Sequence, residues 1–375
     1  MINTFYPPWR GGAETYVKNL AENLARMGHE VQVVAAHQPL RPGGCFQDGV
    51  VVKRLKSAGM FYGVPIIPEL LQYLVSIDSD LIHVNFPNPF NAAIGALASI
   101  IKKIPAVLTW HNDLPSVTKL AGSIVRIHDD LAAPIYLKHY DSIITTSNIY
   151  HKKSKMLRKF QNKTRTIFNG VDCKRFNPDI YSEDIKIDLE MKDSKVILFV
   201  AALTKWHRYK GLDILIEAFR LIRDMDIKLL VVGGGGLKSE YEAYARSVNL
   251  TDKVVFVGEV SDDLLPKYYS IADMLVLPSK DRSEGFGLTI LEANASGKPV
   301  IGSNIGGIPG ILTDNDNGIL VPPNNPTLLA DAICRLSNDD KLRERLGERG
   351  RQIAIMHDWS RVAAETEKIY FELLN

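Results

Sequence analysis

The sequence predicts an α/β protein built as two doubly wound domains. Apolar runs of strand length alternate with helix-period segments along nearly the whole chain, which means parallel sheets covered by helices on both faces. At 375 residues the chain is long enough for two such cores. The turn Ser283-Glu284-Gly285-Phe286-Gly287, set between an apolar run and a helical pattern, is the kind of junction at which α/β folds bind anions.

In the first half, residues 13–27 place Tyr16, Val17, Leu20, Leu24 and Met27 on one helical stripe, and Gly28 stops the helix. Strand patterns follow at 30–35, 50–55, 81–85, 106–109 and 142–145. In the second half they fall at 196–201, 228–232, 254–257, 274–277, 299–302 and 318–321. Residues 177–194 are acidic and weakly periodic, as a linker would be, and the last pattern, 362–374, is an amphipathic helix. No internal repeat with matching residues is present. The division expected is a first domain over 1–172 and a second over 173–359.

The richest chemistry lies around Glu284. After the apolar run Met274-Leu275-Val276-Leu277-Pro278, a strand, tight turn and helix would aim free N–H groups and the positive end of the helix dipole at one point, a place for phosphate. That turn and first helical residues are Gly285, Phe286, Gly287, Leu288 and Thr289. Glu292 follows Glu284 by eight residues, about 2.2 helical turns, so the two acids point within roughly 80° of one another. A phosphate flanked by carboxylates that accept bonds from hydroxyls describes a nucleotide sugar.

The stretch resembles the E-x7-E motif of the retaining glycosyltransferases of family GT4, whose fold is GT-B. Other segments extend the resemblance in order along the chain. Pro8-Trp9-Arg10-Gly11-Gly12-Ala13-Glu14-Thr15 is similar to the P-x-x-G-G-x-E loop, and Asn169-Gly170-Val171-Asp172, with Phe176 and Pro178, to the N-G-V-D segment at the domain junction. Lys210-Gly211 before Leu215-Ile216-Glu217-Ala218 resembles the K-G-x-x-x-L-I-x-A element, and Gly297-Lys298-Pro299-Val300-Ile301 the G-x-P-V-I strand. The resemblance implies two Rossmann-like domains facing across a cleft, the first receiving the acceptor and the second the nucleotide sugar, with the terminal helix (about 360–375) crossing back onto the first.

Without a metal, Lys, Arg and helix N-termini must hold a departing diphosphate. Lys210, before a glycine at a loop-to-helix junction, is the strongest candidate. The family's Arg shortly before this Lys is replaced here by Ala201-Ala202-Leu203, and Lys205 is the favoured substitute, with Arg208 and His207 as alternatives. Gly11 and Gly12 let the backbone approach an anionic ligand closely, and the resemblance turns their loop toward donor and acceptor, with Glu14 on the acceptor side. Few residues precede that loop, so the family's first strand is expected to be stubby or to begin upstream. Thr109-Trp110-His111-Asn112-Asp113 places His111 at the carboxyl edge of a strand, where α/β folds bind ligands. The T-x-H-x-D pattern resembles the family's active-site histidine, which contacts the transferred sugar, and Asp113 would orient either the acceptor hydroxyl or the histidine.

Gly233 to Gly236 is not a dinucleotide fingerprint, because Lys238 stands where the third glycine is required. Asp78/Asp80, Asp224/Asp226 and Asp314/Asp316 resemble a D-x-D metal motif in the wrong structural context, so no metal and no cofactor are expected. Cys45, Cys173 and Cys334 are isolated, each read as a small buried apolar residue. No segment reaches the roughly 18 apolar residues that cross a bilayer, and no signal pattern opens the chain, so a cytoplasmic protein is expected.

The net charge of +2 conceals 19 Lys+Arg against 12 Asp+Glu over residues 1–172. Lys152, Lys153, Lys155, Arg158, Lys159, Lys163 and Arg165, interleaved with Met156, Leu157 and Phe160, read equally as a solvated face or as a peripheral contact with an anionic membrane. The reading is therefore a retaining, metal-independent hexosyltransferase that uses a UDP- or GDP-linked sugar. It serves an acceptor hydroxyl on a glycan or lipid-linked oligosaccharide, as in polysaccharide biosynthesis, and binds no nucleic acid. The alternatives are another GT-B enzyme (an epimerase or a phosphorylase) and a sugar-binding protein without catalysis.

Overall fold

A computed structural model describes every residue except 10, 62, 115–118, 149–153, 155 and 181, and the side chains of 119–121. The chain divides into two units, Met1–Asn169 with Trp359–Asn375, and Gly170–Asp358.

Among the described residues the first unit carries nine strands: β1 (Val31–Ala36), β2 (Gly43–Gln47), β3 (Val50–Leu55), β4 (Gly59–Phe61), β5 (Val64–Ile66), β6 (Ile82–Phe86), β7 (Ala106–Trp110), β8 (Ser142–Thr145) and β9 (Thr164–Thr166). Its helices are α1 (Gly12–Arg26), α2 (Leu70–Ser76), α3 (Pro89–Lys102), α4 (Lys119–Ile127) and α5 (Ala133–Leu137). Two parallel ladders, β1-β3 and β6-β7-β8-β9, are joined by the first residues of the chain: Ile2 bridges Val34 on one side and Val84 on the other. The stubby first strand is thus a single central rung. Strands β6, β7 and β8 are wholly buried, as parallel strands sandwiched between helices are, with Ile82, Val84 and Phe86 on one face of β6 and the buried polar side chains His83 and Asn85 on the other.

The second unit holds six parallel strands, β10 (Lys195–Val200), β11 (Ile227–Val232), β12 (Val254–Gly258), β13 (Met274–Leu277), β14 (Val300–Ser303) and β15 (Gly318–Val321). Its helices are α6 (Glu183–Asp188), α7 (Leu212–Leu221), α8 (Lys238–Ser247), α9 (Leu265–Ser270), α10 (Leu288–Ala295), α11 (Pro326–Asn338) and α12 (Asp340–Met356). The spatial order β12-β11-β10-β13-β14-β15 is that of a doubly wound dinucleotide fold, and its order reverses between β10 and β13. The carboxyl ends of those two strands mark the switch point, beside which such sheets bind ligands in a crevice.

The last helix, α13 (Trp359–Leu374), belongs to the first unit, where Trp359 packs edge-on against Tyr16 of α1 with ring centres 5.6 Å apart. The eleven strands read from the sequence are present within one residue at each end. Strands β2, β4, β5 and β9 are additions to that reading; β2 is exposed along its whole length, so no apolar alternation marks it. The cysteines depart from expectation: Cys45 is exposed on β2, and Cys173 and Cys334 are only half-buried.

Candidate functional site

Two constellations, one in each unit, gather the residues singled out from the sequence. In the second unit, Lys210 ends the loop that leaves β10 and Glu284 stands in the loop that leaves β13, on the two sides of the switch point. The loops are stitched together, since the Lys280 amide donates to the Tyr209 carbonyl at 2.7 Å. Gly211 makes the close approach possible. Its φ is +78°, and a Cβ there would lie 2.1 Å from the Pro278 carbonyl oxygen, so only glycine fits.

The result is a buried ion pair. Lys210 Nζ donates to Glu284 Oε2 at 2.6 Å, and Ser279 Oγ donates to the same oxygen at 3.1 Å. Glu284 is 4% exposed. Burial by itself lowers the proton affinity of Lys210, but the Glu284 carboxylate and Tyr209 outweigh it and hold the ammonium well above its ordinary value, so it stays charged. Beyond Glu284, Gly287 takes a left-handed conformation and opens α10, and Thr289 Oγ1 in the first turn is buried without a hydrogen-bond partner among the described residues. A fixed cation, a helix N-terminus and an unspent hydroxyl together suit a phosphate.

Glu292 lies about one turn along α10, where Tyr269 OH donates to its Oε2 at 2.6 Å. Burial raises its proton affinity, opposed by the Tyr269 hydrogen bond and by the positive charges of Arg175 and Lys210. Tyr269, fully buried on α9, is the positioning residue that sequence reading missed; it stands 23 positions from its partner and no local pattern marks it. The loop cations sort themselves. Arg208 is exposed and paired with Glu240 at 2.6 Å, while Lys205 is exposed with its ammonium 5.2 Å from the centre of the Trp206 ring. Lys205 is not brought into the Lys210–Glu284 pair; His207 is bonded through Nδ1 to Thr204 Oγ1 at 2.8 Å, and its proton affinity is lowered by burial and by Lys210, with Glu284 opposing.

In the first unit, His111 leaves the carboxyl end of β7 beside β6. The parallel register sets Asn85 opposite Thr109, and His111 Nε2 meets Asn85 Oδ1 at 3.2 Å. Asn85 Nδ2 donates to the Ile2 carbonyl at 3.3 Å, which turns its Oδ1 toward the imidazole. His111 therefore carries its proton on Nε2 and presents Nδ1 as an acceptor. Burial lowers its pKa to about 4, so the ring is neutral at neutral pH. Tyr16 packs edge-on against it at 4.7 Å. Behind it, His83 Nε2 meets Thr109 Oγ1 at 2.7 Å and His83 Nδ1 bonds the Tyr370 hydroxyl of α13. Asp113 is engaged elsewhere, accepting from Trp110 Nε1 at 3.1 Å and from Ser154 Oγ at 3.0 Å. Asn85, rather than Asp113, orients the histidine.

Glu14, in the first turn of α1, folds its carboxylate back over the Gly11 backbone, where a Cβ would lie 2.3 Å from Oε2. Its pKa is raised to about 7 by burial, slightly offset by its own backbone amide. The folded state thus holds a proton on Glu14 that the unfolded chain releases between about pH 4.5 and 7. That contribution to stability is complete below the unfolded value and is lost as pH rises through about 7. Glu14→Gln is expected to remove this loss, making the first unit more stable than wild type at pH 8 by up to about 3 kcal/mol, because each pH unit between the unfolded and folded values is worth about 1.4 kcal/mol. At pH 4 the two proteins should differ little. Denaturant melts at the two pH values check it; equal gains at both would deny the buried charge.

The basic stretch is partly structural. Lys152, Lys153 and Lys155 lie outside the described residues. Lys163 Nζ donates to the carbonyls of Leu137, Lys138 and Tyr140 at 2.9, 2.9 and 2.6 Å, capping the end of α5, and Arg165 pairs with Glu372 at 2.6 Å. Met156 and Leu157, interleaved with the basic residues in the sequence, are buried in the core, and Arg158 and Lys159 remain exposed. Asp226 accepts from Ser194, Asp314 from the Leu320 amide, and Asp316 pairs with Arg349. Among the described residues no group of three metal-ligating side chains gathers, and no helix is long and apolar enough to cross a membrane.

Residues 181–353 match the family described as Glycosyl transferases group 1, and residues 10–175 match Glycosyltransferase Family 4. The chain is 30% identical to an uncharacterized glycosyltransferase of Methanocaldococcus jannaschii, over 99% of this chain and 97% of that one. It is 29% identical to O-antigen chain mannosyltransferase C of Escherichia coli, over 94% of this chain and 91% of that one. Among solved structures, sucrose-phosphate synthase from Thermosynechococcus elongatus superposes with a TM-score of 0.78 at 25% identity, covering 99% of this chain and 95% of that one.

Proposed function

The chain belongs to the group 1 glycosyltransferases of family 4 and has their GT-B fold, and from that premise we propose that it transfers a hexose from a nucleotide diphosphate sugar to an acceptor hydroxyl with retention, without a metal or cofactor. The observation that carries this reading is the buried Lys210–Glu284 pair at the mouth of α10. A fixed ammonium and a helix N-terminus stabilise charge as it develops on the leaving diphosphate, the part that a divalent ion would otherwise play. Glu292, held by Tyr269, accepts from the ribose hydroxyls, and the neutral His111 accepts from a hydroxyl of the transferred sugar through Nδ1. Gly11, Gly12, Glu14 and Asp113 serve the diphosphate and acceptor side, and Lys205 adds positive charge at the rim of the donor site.

In the reaction the bond from the anomeric carbon to the diphosphate oxygen breaks, and the bond to the acceptor oxygen forms on the same face. The acceptor's proton passes to the departing phosphate oxygen, so no side-chain nucleophile is required. The acceptor proposed is a glycan or a lipid-linked oligosaccharide. The mannosyltransferase relative named for O-antigen chains and the cationic excess of residues 1–172 support it, and the exposed Arg158 and Lys159 suit an anionic surface.

The test is transfer from UDP- and GDP-hexoses in excess EDTA, with the product's anomeric configuration read by proton NMR. Transfer is expected to persist in EDTA and to give the donor's own α configuration. Loss of transfer with chelator, restored by Mn²⁺ or Mg²⁺, or a β-configured product, would contradict the reading.

A further inference from the structure

A second cationic cavity lies in the Gly170–Asp358 unit, lined by residues other than those assigned above to the donor. About 300 Å³ in volume, it is walled by α6, the end of α9 and the start of the Gly297–Ile301 segment. Three lysines line it: Lys186, Lys192 and Lys298. Among the described residues no ion pair holds Lys186 or Lys192. Lys298 Nζ donates to the Ser270 carbonyl at 2.8 Å, its one hydrogen bond among the described residues. Of the two acids in the wall, Asp273 is committed, its Oδ2 accepting from the Val196 amide at 2.8 Å and its Oδ1 3.8 Å from Lys195. Glu183 also has a partner of its own. Ser182 is 2% exposed, and its Oγ is buried in the same wall without a hydrogen-bond partner among the described residues.

Three like charges around one concavity repel one another and gain from an anion, and a buried hydroxyl gains from an acceptor oxygen. Among the described residues the apolar lining is Ile271 and Ala272, and none of the lining side chains is an aromatic ring that would stack on a base. Burial lowers the proton affinity of Lys298, with Asp273 opposing and Lys186 adding to the decrease.

We propose that this cavity binds a small phosphate-bearing anion without a base, such as a diphosphate or a sugar phosphate, at a site separate from that of the nucleotide sugar. Its wall includes Ser270, the residue after Tyr269, so an anion that engages Lys298 acts on the same helix end that holds Glu292.

Hydrogen exchange read by mass spectrometry, with inorganic pyrophosphate as the probe, locates the anion. In the wild type, peptides covering 182–192 and 268–273 are expected to exchange about tenfold more slowly when pyrophosphate stands at about ten times its dissociation constant. Protection at 284–290 reports the diphosphate site of the proposed function separately. In Lys186→Glu/Lys192→Glu, both changed at partly or fully exposed positions, the first protection should vanish and the second remain. Absence of protection at 182–192 and 268–273 in the wild type, or its persistence in the double variant, would overturn the second site whatever happens at 284–290.

Discussion

Lys210→Ala is expected to lower kcat by about 10²–10³, the usual loss when one preorganised group that stabilises a developing anion is removed. The Lys210 and Glu284 side chains are 16% and 5% exposed, and the ammonium remains charged because the carboxylate 2.6 Å away outweighs desolvation. An approaching diphosphate meets this charge already fixed in place. The same variant should lose stability, because Glu284 would stay buried with Ser279 Oγ at 3.1 Å as its remaining side-chain donor. Breaking one side of a buried pair costs about 3–5 kcal/mol. Lys210→Met combined with Glu284→Gln should recover most of the stability and none of the activity. Steady-state kinetics and thermal melts of the single and double variants separate the two effects; recovery of kcat in the double variant would deny the pair its role.

Asn85→Asp should give activity a pH dependence that the wild type lacks. His111 is neutral because burial lowers its pKa to about 4, and its Nε2 proton is fixed by Asn85 Oδ1 at 3.2 Å. A carboxylate in that position stabilises the imidazolium and raises the pKa by about 1–3. The protonated ring then donates at Nδ1 where the neutral ring accepts. If the pKa rises to about 7, roughly one molecule in eleven is neutral at pH 6, and kcat there should fall about tenfold relative to pH 8. The wild-type imidazole stays neutral over that range, so the His111 midpoint should be absent from its profile. Asn85→Leu serves as control: it frees the ring and lowers kcat with no new midpoint near pH 7. A purely structural role for Asn85 would lower the activity of Asn85→Asp equally at all pH values.

Much of this was legible because the signals are local. The apolar run 274–277, the glycine turn and the helix after it lie within some twenty consecutive residues, so strand, crevice loop and Glu284 could be read together. His111 was readable for the same reason, directly after a buried strand. What stayed hidden depends on pairing across the sheet or between elements. Asn85 reaches His111 through the register of β6 on β7, and Tyr269 reaches Glu292 from a separate helix. Charge alone did not distinguish the roles of the cations in the segment 156–165. Lys163 reads as one more surface cation, yet it caps three carbonyls at the end of α5, and Met156 and Leu157 turn inward. A cation's sequence neighbours do not reveal whether carbonyl groups wait for it. The loop from Lys205 to Lys210 shows the same limit: five positions separate the two lysines, but a tight helical turn sends one into the crevice pair and the other onto an exposed tryptophan.

The central claim, that the switch point between β10 and β13 holds a nucleotide sugar through Lys210 without a metal, is tested most directly by donor binding. Melting curves of the wild type and of Lys210→Ala should be recorded in EDTA with a panel of UDP- and GDP-hexoses at about 100 times the expected dissociation constant. At least one donor is expected to raise the wild-type Tm by several degrees, since ligand at that excess stabilises by about 2.7 kcal/mol, and the same donor should leave the variant's Tm unchanged. No shift with any donor, a shift that appears only when a divalent ion is added, or an equal shift in Lys210→Ala would contradict the account.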